Sequence, residues 1–416
     1  MIFNHLRQII LITGAILSLT SCELADQAQK EGMTQGAISE VIISTQMPEG
    51  FKEGVFYKDQ EVTLKSDRLT YRTRTDENGN AIFKNVVPNI YSVFTSCELS
   101  ADTYAELTSE EGVENRPVIV ASSLLKQSIF GEQTLTLQLN KSVKQTLLIS
   151  KIYASGTKDI NNKNYLSDKY IELFNNSESV EYIDRLYLAL TENESTPAYP
   201  AASNPGYFYA RQVFRFPGNG TDYPVEPGKS IVICNSAINH LEKAPISANL
   251  FEADFEAKST TYSNNSLVEA IDLIYSTSVT LMFMNLVQGG DNGVVLFKTN
   301  DNLTDYPIVF IPGKDKGNAF MRIPDSTILD GVETLKNKTT GIDPNTKRLP
   351  SFVDSSYGFI NAISGYSNES IERRVDKEAS TEERVYLIDT NNSQHDFRTV
   401  QDPTPRKYDK PLLLEN

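Results

Sequence analysis

The side chains best equipped for chemistry are few and far apart. The chain has three histidines, His5, His240 and His395, and three cysteines, Cys22, Cys97 and Cys234. Zinc sites draw thiolate, imidazole or carboxylate ligands from short, paired spacings. Cys234 precedes His240 by six residues, and no second histidine lies near either His240 or His395. Both therefore read as surface or turn histidines, and no metal is expected. A serine nucleophile needs a histidine and a strained G-x-S-x-G turn, and the sequence lacks that turn. Asp325 and Glu333 remain as the carboxylates on which a hydrolase of unrecognised type would have to be built.

Two acidic stretches invite a cation. Asp389-Thr390-Asn391-Asn392 with Asp396 offers several oxygens, as a calcium loop would. The D-x-[DN]-x-[DN]-G spacing is missing, and the same residues are strong local turn formers. A structural Asx-rich turn is the favoured outcome. Glu252, Asp254 and Glu256 alternate as on a strand, which would make one acidic, solvated edge. The aromatic run Tyr199, Tyr207, Phe208, Tyr209, Phe214 and Phe216 could offer a platform for sugar or haem-like rings. Phe214 and Phe216 alternate like core residues. That leaves Tyr207 and Tyr209, on a loop after Asn204-Pro205-Gly206, as the candidates for ligand contact. The lack of Trp beside 20 Tyr and 19 Phe weighs against a sugar platform, and no cofactor is expected.

A chain of 416 residues suggests two or three domains. Its 39% hydrophobic and 22% charged content fits a globular protein with a real core. A formal charge of -15 makes nucleic acid a poor partner, because phosphate binding wants clustered Lys and Arg. Residues 1–21 read as a signal peptide: Arg7 precedes the apolar run Ile9–Leu17, which is too short to span a bilayer. Leu19-Thr20-Ser21-Cys22 resembles a bacterial lipobox, which implies lipidation at Cys22 and a polar tether over residues 22–35. Acidic residues behind the cysteine resemble those of Bacteroidota lipoproteins exported to the outer surface. Cys97 and Cys234 would fall in separate domains. They could form one disulfide, but two free buried thiols are favoured.

The remaining chain reads as strands. Leu147, Ile149 and Ile152 lead to the turn Ala154-Ser155-Gly156, and Tyr170–Phe174 alternates faces before Asn175-Asn176-Ser177. Earlier, Ile38–Ile43 and Glu61–Leu64 alternate likewise. Asp76-Glu77-Asn78-Gly79 reads as a hairpin turn whose Asn-Gly pair supplies positive φ. Ala81, Phe83, Val86 and Tyr91-Ser92-Val93 follow. Residues 36–140 thus resemble a transthyretin-like, carboxypeptidase-regulatory-like β-sandwich, without the H-x-x-E zinc motif of a carboxypeptidase. Asn89 stands where that family has Gly, and would hold the left-handed conformation. Thr134–Leu139 would be the closing strand.

Residues 142–408 resemble a lamin-tail domain. The resemblance rests on Tyr170–Asn175, Val225-Glu226-Pro227-Gly228 before Ile231–Ile233, and Gly289–Phe297. It closes on Ser370-Ile371-Glu372-Arg373, Asp389–Phe397 and Pro403-Thr404-Pro405. The span implies insertions at about 236–285 and 300–368, followed by a tail at 409–416. Together these features predict an all-β protein with two immunoglobulin-like β-sandwiches in tandem, the second carrying long insertions. The whole resembles an uncharacterised family of Bacteroidota envelope lipoproteins often encoded beside TonB-dependent receptors. That implies a non-catalytic, lipid-anchored outer-membrane protein facing the exterior, partnered by such a receptor in nutrient uptake. A structural or adhesive envelope protein is the alternative. Asp325-Ser326-Thr327 resembles the short O-glycosylation motif of Bacteroidota envelope proteins, which would modify Ser326.

Overall fold

The computed structural model describes residues 39–110, 115–193, 206–258, 265–278, 280–311 and 314–409. The signal peptide, Cys22, the tether, Tyr199, Asn204-Pro205 and the tail beyond Asp409 lie outside the described residues. The fold is mostly β, with several antiparallel and mixed sheets of β-sandwich type. Two short α-helices occur among the described residues, α1 (Ala101–Leu107) and α2 (Ser393–Asp396). The chain divides into two compact units. The first comprises Met1–Ser96, Leu107–Glu110 and Ser122–Leu139, and the second Cys97–Glu106, Glu111–Ala121 and Asn140–Asn416.

In the first unit β1 (Ser39–Gln46), β4 (Asn80–Val86) and β7 (Gln133–Gln138) form one sheet in the order β4-β1-β7. The neighbours of β1 differ in sense: β4 is antiparallel to it and β7 parallel. A second sheet runs β3 (Thr70–Arg74), β2 (Glu61–Lys65), β5 (Asn89–Leu99), β6 (Val118–Ile129). Alternate residues point inward, as a period of two requires: Val41 and Ile43, Val62 and Leu64, Ala81 and Phe83, Tyr91 and Val93 are buried. The hairpin at Asp76 works differently from expectation. Only Gly79 has positive φ, at 77°. The Asp76 carboxylate accepts the Asn78 and Asn80 N–H groups and closes the turn, so Asn78 needs no strained backbone. A Cβ on Gly79 would also lie 2.8 Å from Thr45 Oγ1. Asn89 is likewise not left-handed; Asn85, at φ 58°, takes that conformation instead.

In the second unit Val118–Ala121 of β6 pair with β8 (Asn140–Val143). A seven-stranded sheet runs β19 (Glu269–Ala270), β18 (Phe255–Glu256), β17 (Ser230–Cys234), β12 (Tyr170–Asn175), β9 (Leu147–Tyr153), β25 (Glu369–Arg373), β26 (Phe397–Gln401). The other runs β22 (Ile308–Val309), β23 (Phe320–Pro324), β15 (Tyr207–Arg215), β14 (Tyr187–Thr191), β21 (Asn292–Phe297), β24 (Ile328–Thr334). In addition, β20 (Asp272–Ser276) pairs with the second half of β15. Two short ribbons join β10 (Thr157–Lys158) to β11 (Asn164–Tyr165) and β13 (Glu181–Tyr182) to β16 (Pro224–Val225). The core draws on both large sheets: Ile149, Ile171 and Ile233 from the first cluster with Leu188, Phe214 and Val294 from the second. The stretch 300–368, expected as an insertion, supplies β22, β23 and β24. The stretch 236–285 likewise supplies β18, β19 and β20.

The spacing Leu147, Ile149, Ile152 breaks a strict period of two, and a bulge explains it. Lys151 faces Glu172 while Ile149 faces Leu173, so β9 carries one extra residue there. Both Ile149 and Ile152 then reach the core, and Lys151 turns to the opposite face. There its ammonium is fully buried. It donates to the Thr404 and Lys407 carbonyls at 2.8 and 2.6 Å and lies 3.9 Å from Glu172 and 3.7 Å from Glu372. Glu172 in turn accepts the Arg406 N–H and the Tyr408 hydroxyl. The C-terminal segment is thereby fastened across the outer face of the sheet.

A second buried cation joins the two sheets. Arg373 on β25 contacts Asp330 on β24 at 3.3 Å, Asp389 at 3.0 Å and Asp396 at 3.5 Å. Its Nε donates to the Ile149 carbonyl, and Asp330 accepts the Ile149 N–H. Burial raises the Asp389 carboxyl to about 7; Arg373 opposes that shift, and Asp330 and Asp396 add to it. Burial also raises Asp330. Burial would lower the Arg373 guanidinium, but the surrounding carboxylates leave it raised.

Replacing the cation should expose how much rests on it. In Arg373→Met three buried carboxylates lose their counter-charge, which costs about 3–5 kcal/mol. A carboxyl raised in the folded state loses stability as pH climbs from its unfolded value, near 3.8, through about 7. Without Arg373 that loss deepens and extends upward. Urea titrations should therefore show a larger penalty near pH 8 than near pH 5. An equal penalty at both would mean the carboxylates are not buried as charges.

Candidate functional site

The most ligand-like feature is a cavity of about 410 Å³ in the second unit, within the ordinary range for small-molecule sites. Its walls come from the lead into β12, the end of β17, Lys258 after β18, and residues 280–288 before β21. Gln212, buried on β15, holds the last of these. Its amide donates to the Leu281 and Phe283 carbonyls and accepts the Asn285 N–H at 2.8 Å. Asn292 fixes the other end, accepting the Val287 N–H and donating back to its carbonyl. Met284 N–H donates to Ala257 O, so the segment is also tied to the chain after β18.

Two lysines give the cavity its charge. Lys169 is nearly enclosed, and its ammonium donates to the Leu286 carbonyl. Burial pulls it down to about 8, which Asp168 opposes and Arg211 reinforces. Lys258 is also lowered by burial, opposed by Glu256 at 3.6 Å, and it donates to Ser236 Oγ. Asn235 adds a buried side-chain oxygen that accepts no hydrogen bond among the described residues. Met282, Phe283 and Met284 supply the apolar wall. Such a lining suits an organic anion with an apolar body: the ammoniums meet the charge and the thioethers adapt to the remainder.

His240 lies beside Ser236 of the cavity lining rather than on the surface. It is fully buried, with Nε2 2.9 Å from the Ser236 carbonyl and Nδ1 2.7 Å from the Tyr165 hydroxyl. A carbonyl only accepts, so Nε2 carries the proton and Nδ1 accepts from Tyr165. Burial lowers its pKa, and the neutral ring acts as a brace. Burial pushes the neighbouring Cys234 thiol well up. Cys97 and Cys234 are both thiols, not joined in a disulfide. Cys97 is only half-buried, and both lie in the second unit rather than in separate ones.

The other residues singled out by sequence lie away from the cavity lining. Tyr209 is 4% exposed and packs with Ile311 and Phe320, so it is not a ligand contact. Tyr207 is 39% exposed, with the Arg322 guanidinium 4.6 Å over its ring. Both belong to β15 rather than a loop, because Tyr207–Ala210 pair with β23. Ser326 is exposed on the turn Asp325–Thr327, whose Asp325 N–H donates to Gly206 O, so it lies close to Tyr207. Glu333 is spent on the Arg348 and Leu349 N–H groups and on the Arg348 guanidinium. Asp396 accepts from Thr390 and Asn392, which makes the Asp389–Asp396 stretch a self-closed turn. Glu252, Asp254 and Glu256 do not share a solvated edge: Glu256 is fully buried and accepts the Ala237 N–H. Lys169, Lys258 and Gln212 carry no signal in the sequence, since a lone polar residue in or beside a strand ordinarily faces water.

Residues 226–404 match a family model described as a protein of unknown function (DUF4876). Among solved structures, a DUF4876 family protein from Bacteroides thetaiotaomicron is similar at 22% identity and a TM-score of 0.56. That match covers 91% of this chain and 99% of the other. At that identity the likeness concerns the fold. The Bacillus anthracis TIE protein is 9% identical over 48% of this chain and 28% of its own, and its TM-score of 0.16 supports no inference. No curated protein matches the sequence.

The lowered pKa of Lys169 sets a pH signature. Its ordinary value is 10.5 and its folded value about 8, so between these the unfolded chain holds more protons. Stability then rises with pH across that window, by on the order of 3 kcal/mol. Denaturation midpoints for wild type minus Lys169→Met should show this rise. A flat difference profile would place the amine in water.

Proposed function

We propose that the chain is a non-catalytic, lipid-anchored surface protein of the outer membrane that serves a TonB-dependent uptake system. Its cargo, a small organic anion, would sit in the 410 Å³ cavity. The observation carrying this reading is that chain from the expected insertion at 236–285 wraps onto the sandwich and encloses cationic and apolar groups together. Loops on a rigid scaffold are where binding surfaces usually arise. Glu333 and His240, two of the residues a hydrolase would draw on, are occupied in structural bonds, which favours binding over catalysis. The lipobox at Cys22 and the acidic residues behind it support the outward-facing anchor. The two units would be the transthyretin-like and lamin-tail-like domains suggested by their motifs. The receptor would be the protein partner, and nucleic acid is disfavoured by a charge of -15.

An adhesive or structural role is the second reading. It is favoured by the exposed apolar side chains Leu241, Ile246, Phe251 and Leu267 on the same stretch, which suit contact with another protein.

Purification of the native, membrane-anchored protein in mild detergent, followed by mass spectrometry, separates the two. Near-stoichiometric recovery of a TonB-dependent barrel, lost in Cys22→Ala, is the expected result. If no barrel appears while the protein is protease-accessible on intact cells, the uptake reading fails.

A further inference from the structure

A groove of about 610 Å³ lies elsewhere on the second unit and shares no lining residue with the cavity. It runs between the turn before β17, residues 383–385, and the fastened C-terminal segment. Four cations line it, Lys229, Arg384, Arg406 and Lys407, against one acid, Glu383. Arg406 is paired with Asp254. Lys229, Arg384 and Lys407 have no carboxylate partner among the described residues. Three cations without an ion-pair partner, facing a single acid around one concavity, are an anomaly on a chain with a formal charge of -15. Like charges held together cost energy unless an anion offsets them.

The groove is also pre-organised. The Arg384 guanidinium lies 4.8 Å over the Tyr386 ring, and its Nη2 donates to the Ser177 carbonyl. Its Nε is buried with no partner among the described residues. The arginine stem passes over Gly228, which has φ +71°; a Cβ there would lie 3.3 Å from Arg384 Cδ. On the facing wall, the Lys407 backbone is pinned by the Lys151 ammonium, while its own side chain stays exposed. Phe174 and Tyr408 meet edge to face at 5.0 Å beneath. The fixed guanidinium fork keeps N–H donors beyond the one spent on Ser177 for an oxyanion, and the lysines act as point charges on either side.

We propose that this groove is a site for a ligand bearing adjacent phosphate-type oxyanions, either a soluble diphosphate or the phosphorylated headgroup of a lipid. The net excess of cations fits a polyanion better than a single carboxylate.

Inorganic pyrophosphate titrated calorimetrically into the full chain is the first probe. Flotation of the unacylated Cys22→Ala chain with phosphatidylcholine vesicles, with and without phosphatidylglycerol, is the second. The variants are the double change Lys229→Gln with Lys407→Gln, at exposed or half-exposed side chains, and Arg384→Lys, which keeps the charge but removes the fork. Saturable one-to-one binding of pyrophosphate, weakened roughly tenfold or more in the double variant at an unchanged denaturation midpoint, is expected. Pyrophosphate binding without flotation assigns the site to a soluble phosphate. Flotation that needs phosphatidylglycerol and is lost in the double variant assigns it to a headgroup. Failure of the wild type with both probes overturns the proposal, and so does a double variant that binds as tightly as the wild type.

Discussion

One guanidinium, enclosed between the sheets of the second unit, decides how that unit closes. Arg373 reaches Asp330 on the opposite sheet, the carbonyl of Ile149 on its neighbour, and Asp389 and Asp396 on the closing turn. A hydrophobic sandwich would hold these elements near one another, but non-directional packing does not set their register. The charged contacts do, since Asp330 and Asp396 each have one place where they meet both the cation and backbone N–H groups. Taking ions out of water is costly, and the geometry must return most of that cost. Here the return comes from backbone donors as much as from charge: Ile149 and Gly331 donate to Asp330, and Thr390 and Asn392 to Asp396.

Lys151 plays a similar part on the outer face. The bulge in β9 turns its side chain outward, and the ammonium then receives the carbonyls of the C-terminal segment. The last described stretch of chain thus covers polar surface that would otherwise be an open face. It also supplies a wall of the cationic groove. Structural and binding roles meet in the same backbone.

Much of the strand content was legible, and the reason is physical. Val41 and Ile43 in β1 alternate because one face of the strand meets a core, whereas in β12 Ile171 and Leu173 face the main core and the other face is covered as well. The Asx-rich turn at 389–396 was also legible, and Asp396 closes it by accepting from Thr390 and Asn392. What escaped were features set by contacts distant in sequence. Tyr209 is buried because β23 pairs alongside it. The strands within 300–368 were not legible because they are short and separated by polar loops, and only pairing places them in the sheet. Asn89 matched a glycine position, but its side chain accepts the Ile90 N–H in an extended conformation. The candidate cavity was the least legible part. Lys169 follows Asp168 at a strand entrance, where a lysine ordinarily meets solvent; only the chain from 280 to 288, folded over it by Gln212, encloses it.

The parallel pairing of β1 with β7 has a mechanical side. Their register runs from Val41 opposite Gln133 to Gln46 opposite Gln138. The chain therefore enters β1 at one end of the ladder and leaves β7 at the other. Tension applied at Ser39 and resisted beyond Leu139 would load every rung of that ladder together, in shear, rather than peeling them one at a time. A protein pulled from its N-terminal side by flow or by a partner would find its first unit oriented along its stiffest direction.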